Sequence, residues 1–211
     1  MATCVVRSMK LGLNTILDVG CGPGYFFQEV RKLIAPRYAV GVDLFLPFLS
    51  ACRRAKVYDD LILCDVRALP FRKRSFNFIL CTEVIEHIEK TDGIHLIHQL
   101  EGLAEQNVVI STPVGFLHEC PEFDRERILI DGSEYKKQQN SFHSPHVSGW
   151  RPQEFRNRGY RVVGTSGHRF LSLRRTGTAW ELLIAISLPV VHLIPEMAFQ
   201  MVAQKRIVDS K

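Results

Sequence analysis

Short apolar runs that alternate with longer segments of helical periodicity restrict the fold of this chain more than any other feature of its sequence. Seven runs predict strands, at 15–19, 39–43, 61–64, 76–81, 107–111, 160–164 and 199–207. Five segments predict helices, at 25–34, 47–54, 91–104, 152–158 and 178–190. This alternation is typical of parallel strands covered by helices, so we expect an α/β, doubly wound sheet of seven strands.

Chain length predicts a single domain over residues 1–211, because 211 residues suffice for one well-cored domain and are few for two. The hydrophobic content of 46% and the charged content of 23% are those of an ordinary globular protein. Residues 113–150 break the strand and helix rhythm, which leaves a lid or a disordered loop as alternatives. Their position beyond the carboxyl end of a strand favours a substrate lid.

The charge balance is mildly basic and uneven along the chain. Lys and Arg outnumber Asp and Glu by 27 to 22, and a net charge of +5 tolerates an anionic partner without requiring one. Residues 151–175 hold seven arginines and a single carboxylate, Glu154. This stretch is either a solvated basic face or a patch for an anion or a membrane surface.

Cysteine usage and the N-terminus predict a cytoplasmic protein. The six cysteines form no CxxC pair and several lie in apolar runs, which indicates a reducing compartment. The N-terminus lacks the apolar region and the cleavage site of a signal peptide. The most hydrophobic stretch, 179–195, is interrupted by Glu181, Pro189 and His192, so we expect a packed helix and no transmembrane span.

A glycine-rich turn follows the first predicted strand, in the segment LDVGCGPGYF at 17–26. Asp18 opens it, and Gly20, Gly22 and Gly24 let the backbone approach a ligand. Asp43 ends the next strand about 20 residues on, where a carboxylate can accept from both ribose hydroxyls. Asp65 ends the third strand, where it can accept from an adenine amino group. The spacing is GxGxG with Pro23 inside it, which suits a zwitterionic amino-acid tail better than a diphosphate.

Together with VGVDL, CDVRALPFRKRSFNFIL and VVISTP, this turn resembles the class I S-adenosylmethionine (SAM)-dependent methyltransferases over about 15–207. The resemblance implies a Rossmann-like sheet whose last strand is antiparallel. It also implies a cofactor-binding set. Asp18, Gly20, Gly22 and Gly24 would line the methionine and ribose, Asp43 would hold the ribose, Asp65 and Val66 would face adenine, and Leu44 and Cys81 complete the set.

The segment CTEVIEHIE, at 81–89, follows the fourth strand, and a helical reading brings Glu83, Glu86 and His87 onto one face. Three interpretations remain open. The segment begins a packed helix whose polar groups bond nearby backbone. Alternatively, His87 is a general base, because imidazole titrates near neutral pH. In the third interpretation, all three residues bind a metal and need a fourth partner.

His146, in the segment HSPHVSGW at 143–150, is a candidate for that partner. The order of EVIEH, a TP-containing strand and a His shortly before a Trp resembles the metal-dependent small-RNA 2′-O-methyltransferases and, more loosely, the ubiquinone-pathway O-methyltransferases. The resemblance implies a metal set of Glu83, Glu86, His87 and His146. Oxygen and imidazole ligands suit Mg²⁺, Mn²⁺ or Zn²⁺, and such an ion lowers the pKa of a bound hydroxyl.

The sequence therefore predicts a SAM-dependent methyltransferase that acts on a hydroxyl of a small-molecule, sugar or lipid-linked acceptor, with Glu83, Glu86 and His87 as catalytic residues. The segment RFLSLRR and the apolar run 182–191 add a membrane surface as a candidate location for the acceptor. One alternative is methylation of an RNA ribose, which is less favoured because the chain has no room for further RNA-binding parts. The other is a SAM-binding partner subunit without catalysis.

Overall fold

The computed structural model describes residues 15–116, 145–168 and 178–207. Seven strands of these residues form one sheet: β1 (Thr15–Val19), β2 (Tyr38–Asp43), β3 (Asp60–Leu63), β4 (Phe76–Thr82), β5 (Ala104–Pro113), β6 (Arg161–His168) and β7 (Ala198–Arg206). Their order is β3-β2-β1-β4-β5-β7-β6. Neighbouring strands among β1 to β5 pair in parallel, whereas β7 runs antiparallel to both β5 and β6. The predicted Rossmann-like seven-stranded sheet with an antiparallel last strand is confirmed.

Helices cover both faces of this sheet: α1 (Tyr25–Leu33), α2 (Leu46–Arg54), α3 (Lys90–Leu103), α4 (Pro152–Arg156) and α5 (Thr178–Leu193). Helices α1 and α2 bury Phe27 and Leu49 in the core of one face. Helix α3 buries Leu96 and Leu100 in the core of the other face, beside Trp150. Because both faces are covered, the central strands are mostly apolar, which explains why apolar runs located them in the sequence.

Helix α5 packs on β6 at two glycines. A β-carbon on Gly164 would lie 2.1 Å from the carbonyl oxygen of Val191, and one on Gly167 would lie 2.5 Å from the side chain of Ile184. The missing side chains therefore allow the helix to approach the strand closely. Helix α5 has 16 residues, and no helix in the described part of the chain is long and apolar enough to cross a membrane.

The expected helical face at 83–87 is wrong. Strand β4 continues through Thr82, Glu83 takes a left-handed conformation with φ of 55°, Ile85–His87 is a single 3₁₀ turn, and α3 begins only at Lys90. The backbone carbonyls of Ile85 and Glu86 accept hydrogen bonds from the segment 147–150. Since those carbonyls are used in tertiary contacts, they are not part of an α-helical ladder.

The predicted lid falls largely outside the described residues. Of the segment 113–150, the structure describes 113–116 and 145–150. These two ends lie side by side, because Val114 and Gly115 form bridges with Trp150, and the N–H of Gly115 donates to the carbonyl oxygen of Trp150 at 2.6 Å. The lid hypothesis itself stays a prediction.

Candidate active site at the carboxyl edge of the sheet

The glycine-rich turn lies directly after β1, between β2 and the 3₁₀ turn that follows β4. Gly20, Gly22 and Gly24 all have positive φ, of 69°, 52° and 82°. A β-carbon on Gly20 would lie 2.3 Å from the side chain of Val84, whereas one on Gly22 would meet no atom of the described residues within 4 Å. The turn therefore packs tightly against the EVIEH segment at Gly20 and leaves open space at Gly22, where a ligand can approach the backbone.

Asp43 ends β2 and joins it to the glycine turn. Its Oδ2 accepts a hydrogen bond from the N–H of Gly22 at 2.8 Å, and its Oδ1 accepts one from the N–H of Phe45 at 2.8 Å. Burial raises the pKa of this carboxyl, and the backbone hydrogen bonds, first that of Phe45, oppose the rise. A carboxylate oxygen can accept more than one hydrogen bond, so the fixed carboxylate keeps capacity for the hydroxyls of a ribose.

Asp18 is buried at the end of β1, with 2% of its surface exposed. Its Oδ2 accepts a hydrogen bond of 2.6 Å from the hydroxyl of Tyr58, and its Oδ1 has no hydrogen-bond partner among the described residues. Burial raises the pKa of Asp18 to about 7, against the opposing hydrogen bond from Tyr58, and the charge of Asp43 adds to the rise. An unpartnered buried carboxylate oxygen is costly, and a cationic amino group in the site would compensate for it.

The residues predicted to lie near the adenine differ in their exposure and in their hydrogen bonds. Asp65 is paired with Arg67, whose Nε lies 3.0 Å from both carboxylate oxygens, and this contact lowers the pKa of Asp65. Val66 is partly buried beside the core, and Leu44 is 58% exposed. The Cys81 side chain is fully buried in the core. A cofactor would therefore meet Cys81 through its backbone, and the role of Cys81 in cofactor binding stays a prediction.

Glu83 is bound by side chains of two other strands. Its two carboxylate oxygens accept hydrogen bonds from the hydroxyl of Ser111 at 2.7 Å and from the side-chain amide of Gln200 at 2.8 Å. Burial raises its pKa, and these two hydrogen bonds oppose the rise. Glu83 thus links β4 to β5 and β7, and the structure does not bring it into a common group with Glu86 and His87.

Glu86, His87 and His146 do come together. One ligand atom from each lies within 4.8 Å of the others, and the two imidazole rings are 4.8 Å apart between centroids. Glu86 is 2% exposed; its Oε2 accepts from the hydroxyl of Thr112 at 3.0 Å, and its Oε1 has no partner among the described residues. Burial and the charge of Glu83 raise the pKa of Glu86. The group is suited to accepting a proton or to holding a cation.

Several residues of the site have no signal in the sequence. Tyr58 precedes β3 and reaches Asp18 across 40 residues, and Gln200 reaches Glu83 from β7 across 117 residues. Thr112 is the next-to-last residue of β5, one residue beyond the predicted strand at 107–111, and only the pairing of β4 with β5 places it beside Glu86. These contacts follow from strand order, which a local pattern does not encode.

The seven-stranded sheet with its antiparallel last strand is the Rossmann-like fold of solved SAM-dependent methyltransferases. The glycine turn after β1 and the acidic residue at the end of β2 agree with the resemblance that the sequence shows to the class I enzymes. Residues 17–101 match a protein family described as a methyltransferase domain. The matched residues include the glycine turn, β2 and the EVIEH segment, and the match supports a methyltransferase domain, as the resemblance in the sequence predicts.

Two curated proteins and one solved structure illustrate the similarity. The malonyl-[acyl-carrier protein] O-methyltransferase of Legionella pneumophila is 31% identical over 83 residues, which cover 38% of this chain and 29% of that protein. The tRNA U34 carboxymethyltransferase of Serratia proteamaculans is 29% identical over 140 residues, which cover 63% of this chain and 40% of that protein. The magnesium protoporphyrin IX methyltransferase of Synechocystis, solved with bound SAH, has a TM-score of 0.58 at 13% identity and covers 98% of this chain and 80% of that chain.

These similarities cover only part of the curated relatives. The chain spans less than half the length of either curated relative. The likeness to the Synechocystis structure, at 13% identity, shows the fold alone.

Proposed function

We propose that this protein transfers a methyl group from SAM to a hydroxyl oxygen of a small-molecule, sugar or lipid-linked acceptor. The observation that carries the proposal is the link between Gly22 and Asp43 at the open part of the glycine turn. It fixes a carboxylate for the ribose beside a backbone that a ligand can approach. The unpartnered Oδ1 of Asp18 supplies a second anionic group, suited to the cationic amino-acid end of the cofactor.

Bound SAM supplies an electrophilic methyl group, which bonds to the acceptor oxygen as its bond to the sulfonium sulfur breaks. The protein mainly positions the two reactants for this in-line displacement. Gly20 of the glycine turn packs against Val84, and Glu86 follows Val84 by two residues. The group of Glu86, His87 and His146 therefore lies close to the glycine turn. In the absence of a bound cation, we assign the proton released by the hydroxyl to this group, with His87 as the base.

The same group fits a divalent cation. The unpartnered Oε1 of Glu86 and the nearby nitrogens of His87 and His146 are ligands of the kinds that Mn²⁺ and Zn²⁺ accept, and Mg²⁺ would use mainly the carboxylate oxygen. Such an ion would lower the pKa of an acceptor hydroxyl. Glu83, which the resemblance also implies as a ligand, instead bonds Ser111 and Gln200, so we propose a site of three protein ligands.

Calorimetry on metal-stripped protein with SAM and S-adenosylhomocysteine (SAH) tests the cofactor. We expect binding that Asp43→Ala abolishes and that Asp60→Ala, at the start of β3, leaves unchanged. Titration with Mn²⁺ or Zn²⁺ then tests the cation, because a separate heat should be lost in His146→Ala and retained in Glu83→Gln. Absence of SAM and SAH binding to the wild type would refute the proposed function.

Two classes of methyl acceptor are considered, a hydroxyl compound and an RNA. The name of the Legionella relative supports O-methylation, and that of the Serratia relative keeps RNA as a second candidate. Binding of RNA that weakens steeply with added salt would favour the RNA candidate. Cofactor binding without turnover on any acceptor would favour the non-catalytic partner subunit. From cysteine usage we also propose a cytoplasmic location.

A further inference from the structure

A groove of about 640 Å³ lies beyond the carboxyl end of β5, apart from the residues assigned to the cofactor. It is lined by Lys90, Gly115, Phe116, Val147, Ser148, Gly149, Arg151 and Glu154. None of these residues belongs to the glycine turn, to β2 or to the group of Glu86, His87 and His146. The groove is therefore a separate site from those described above.

The groove adjoins the candidate catalytic group through one short segment of backbone. His146 belongs to the catalytic group, and the next residue, Val147, lines the groove. The N–H groups of Val147 and Ser148 both donate to the carbonyl oxygen of Glu86, at 2.8 and 3.1 Å. A molecule in the groove is thus held next to the residues to which we assign proton removal.

One wall of the groove is ionic and largely self-compensated. The Lys90 ammonium lies 2.8 Å from Glu154 Oε1, donates to the Gly149 carbonyl at 2.6 Å and sits 3.5 Å from the Trp150 ring centroid. The second oxygen of Glu154 accepts from the backbone N–H of Arg151 at 2.8 Å. Both carboxylate oxygens of Glu154 are therefore occupied, and its charge is balanced by Lys90.

Arg151 carries the positive charge in the groove lining that the Lys90–Glu154 pair does not balance. It is exposed, and its guanidinium has no acidic partner within the described ranges. Burial lowers the pKa of Lys90, its contact with Glu154 opposes this, and the positive charges of Arg158 and Arg151 add to the lowering. The positive charges around the groove therefore repel the Lys90 ammonium, and an anion bound at Arg151 would reduce this repulsion.

The other wall is apolar. Phe116 is 42% exposed and Val147 is 39% exposed, and both line the groove. The guanidinium of Arg151 can donate two parallel hydrogen bonds to a carboxylate or a phosphate. Together with the apolar wall, it suits a ligand that has an apolar body and such an anionic head.

We propose that this groove binds an amphipathic anion, with its carboxylate or phosphate paired to Arg151 and its apolar part against Phe116 and Val147. The inference rests on the proposed function, since it makes this anion the acceptor or the part of the acceptor that anchors it. It narrows the acceptor class from any hydroxyl compound to one that carries an acidic group and an apolar chain.

Binding of three eight-carbon probes to the full chain tests the proposal. Calorimetry at low salt should show binding of octanoate, octyl phosphate or both, and at least tenfold weaker binding of 1-octanol. A preference for octanoate identifies a carboxylate head and a preference for octyl phosphate identifies a phosphate head. Equal binding of octanol and both anions, or binding of none of them, would overturn the proposal.

Variants locate the site. Arg151→Gln should weaken binding of the preferred anion about tenfold or more, and Phe116→Ala should weaken it several-fold, whereas Arg161→Gln, an exposed arginine on β6, should leave it unchanged. Arg151 is exposed, so its variant should unfold at the wild-type temperature. Unchanged anion binding in Arg151→Gln would refute the site.

The two proposals can fail separately. SAH binding should be the same in Arg151→Gln as in the wild type, because Arg151 is not part of the cofactor site. If SAH binds and the anions do not, the groove proposal fails alone. If the anions bind at Arg151 and SAH does not bind, the groove exists but its link to methyl transfer is refuted.

Discussion

The hydroxyl of Tyr58 donates a 2.6 Å hydrogen bond to the buried carboxylate of Asp18, which lies 40 residues earlier and opens the glycine turn. The Tyr58 ring also stacks on Phe27, with centroids 4.7 Å apart. This contact therefore fixes the start of the candidate cofactor site to the core of the sheet face covered by α1 and α2.

Replacing Tyr58 with Phe should keep the stacking and remove the hydrogen bond. We expect the free energy of unfolding to fall by about 1 to 3 kcal/mol, because a buried carboxylate loses a partner. Urea unfolding followed by circular dichroism measures this. Tyr38→Phe is the matched control, since the Tyr38 hydroxyl bonds Asp60 at the protein surface and its loss should change stability little. Equal losses in the two variants would contradict the role assigned to Tyr58.

The raised pKa of Asp18 predicts a pH dependence of stability. The folded protein keeps a proton on Asp18 until about pH 7, whereas the unfolded chain releases it near the ordinary value of 3.8. The folded state therefore binds more protons between these values, and its stability falls as pH rises from about 4 to 7. Asp18→Asn does not ionise, so its stability relative to the wild type should improve by roughly 2 to 3 kcal/mol between pH 5 and pH 8.

Urea unfolding of both proteins at the two pH values checks this difference. A constant difference would mean that Asp18 ionises in the folded protein as it does in the unfolded chain. Saturating SAH should reduce the pH dependence if the cationic end of the cofactor lies beside Asp18.

Alanine at two glycines of the same turn should have different effects. Both Gly20 and Gly22 have positive φ, which costs an alanine about 1 kcal/mol at either position. At Gly20 the new methyl group would also collide with Val84, so we expect a total loss on the order of 3 kcal/mol. At Gly22 the methyl group enters open space, so the protein should fold and bind SAH at least tenfold more weakly.

Thermal unfolding and calorimetry with SAH separate the two effects. Gly102→Ala, in α3 with nothing within 4 Å, is the control and should raise stability by about 0.5 to 1 kcal/mol. Wild-type affinity for SAH in Gly22→Ala would place the cofactor elsewhere.

The buried thiols should resist alkylation in the native protein. Cys21, Cys52 and Cys81 are buried, whereas Cys64 is partly exposed. The neighbouring Cys52 thiol and burial raise the pKa of Cys21, and burial raises that of Cys81, so both remain uncharged thiols. In a Cys4→Ser/Cys120→Ser background, iodoacetamide should label Cys64 first and the other three only as fast as the protein unfolds. Mass spectrometry of peptides reads each site, and labelling of Cys21 as fast as Cys64 would show that the glycine turn opens in the folded state.

The sequence predicts those parts of the structure that depend on neighbours along the chain. Strand β1 and the start of α1 occur where the apolar run and the glycine turn place them, because a buried parallel strand is apolar throughout and Gly24 ends the turn in a left-handed conformation. Asp43 is likewise found at the end of its strand, bonded to the turn as the motif implies.

Predictions failed where contacts between distant segments decide the conformation. The EVIEH segment has the spacing of a helix, but Ser148 and Trp150 donate to the carbonyl of Ile85 from more than 60 residues away. Glu83 has the right chemistry for a metal ligand, yet β7 brings Gln200 to it.

The pairing of Val114 and Gly115 with Trp150 has a consequence for how this protein can diversify. It holds the chain before residue 117 next to the chain after residue 144. Changing the length of the connection between these two points therefore alters the free energy of unfolding only slightly. Doubling such a connection costs only about 0.6 kcal/mol of closure entropy. Segments of different length and chemistry can therefore be exchanged between these two ends, while the sheet edge that carries Glu86, His87 and His146 keeps its conformation.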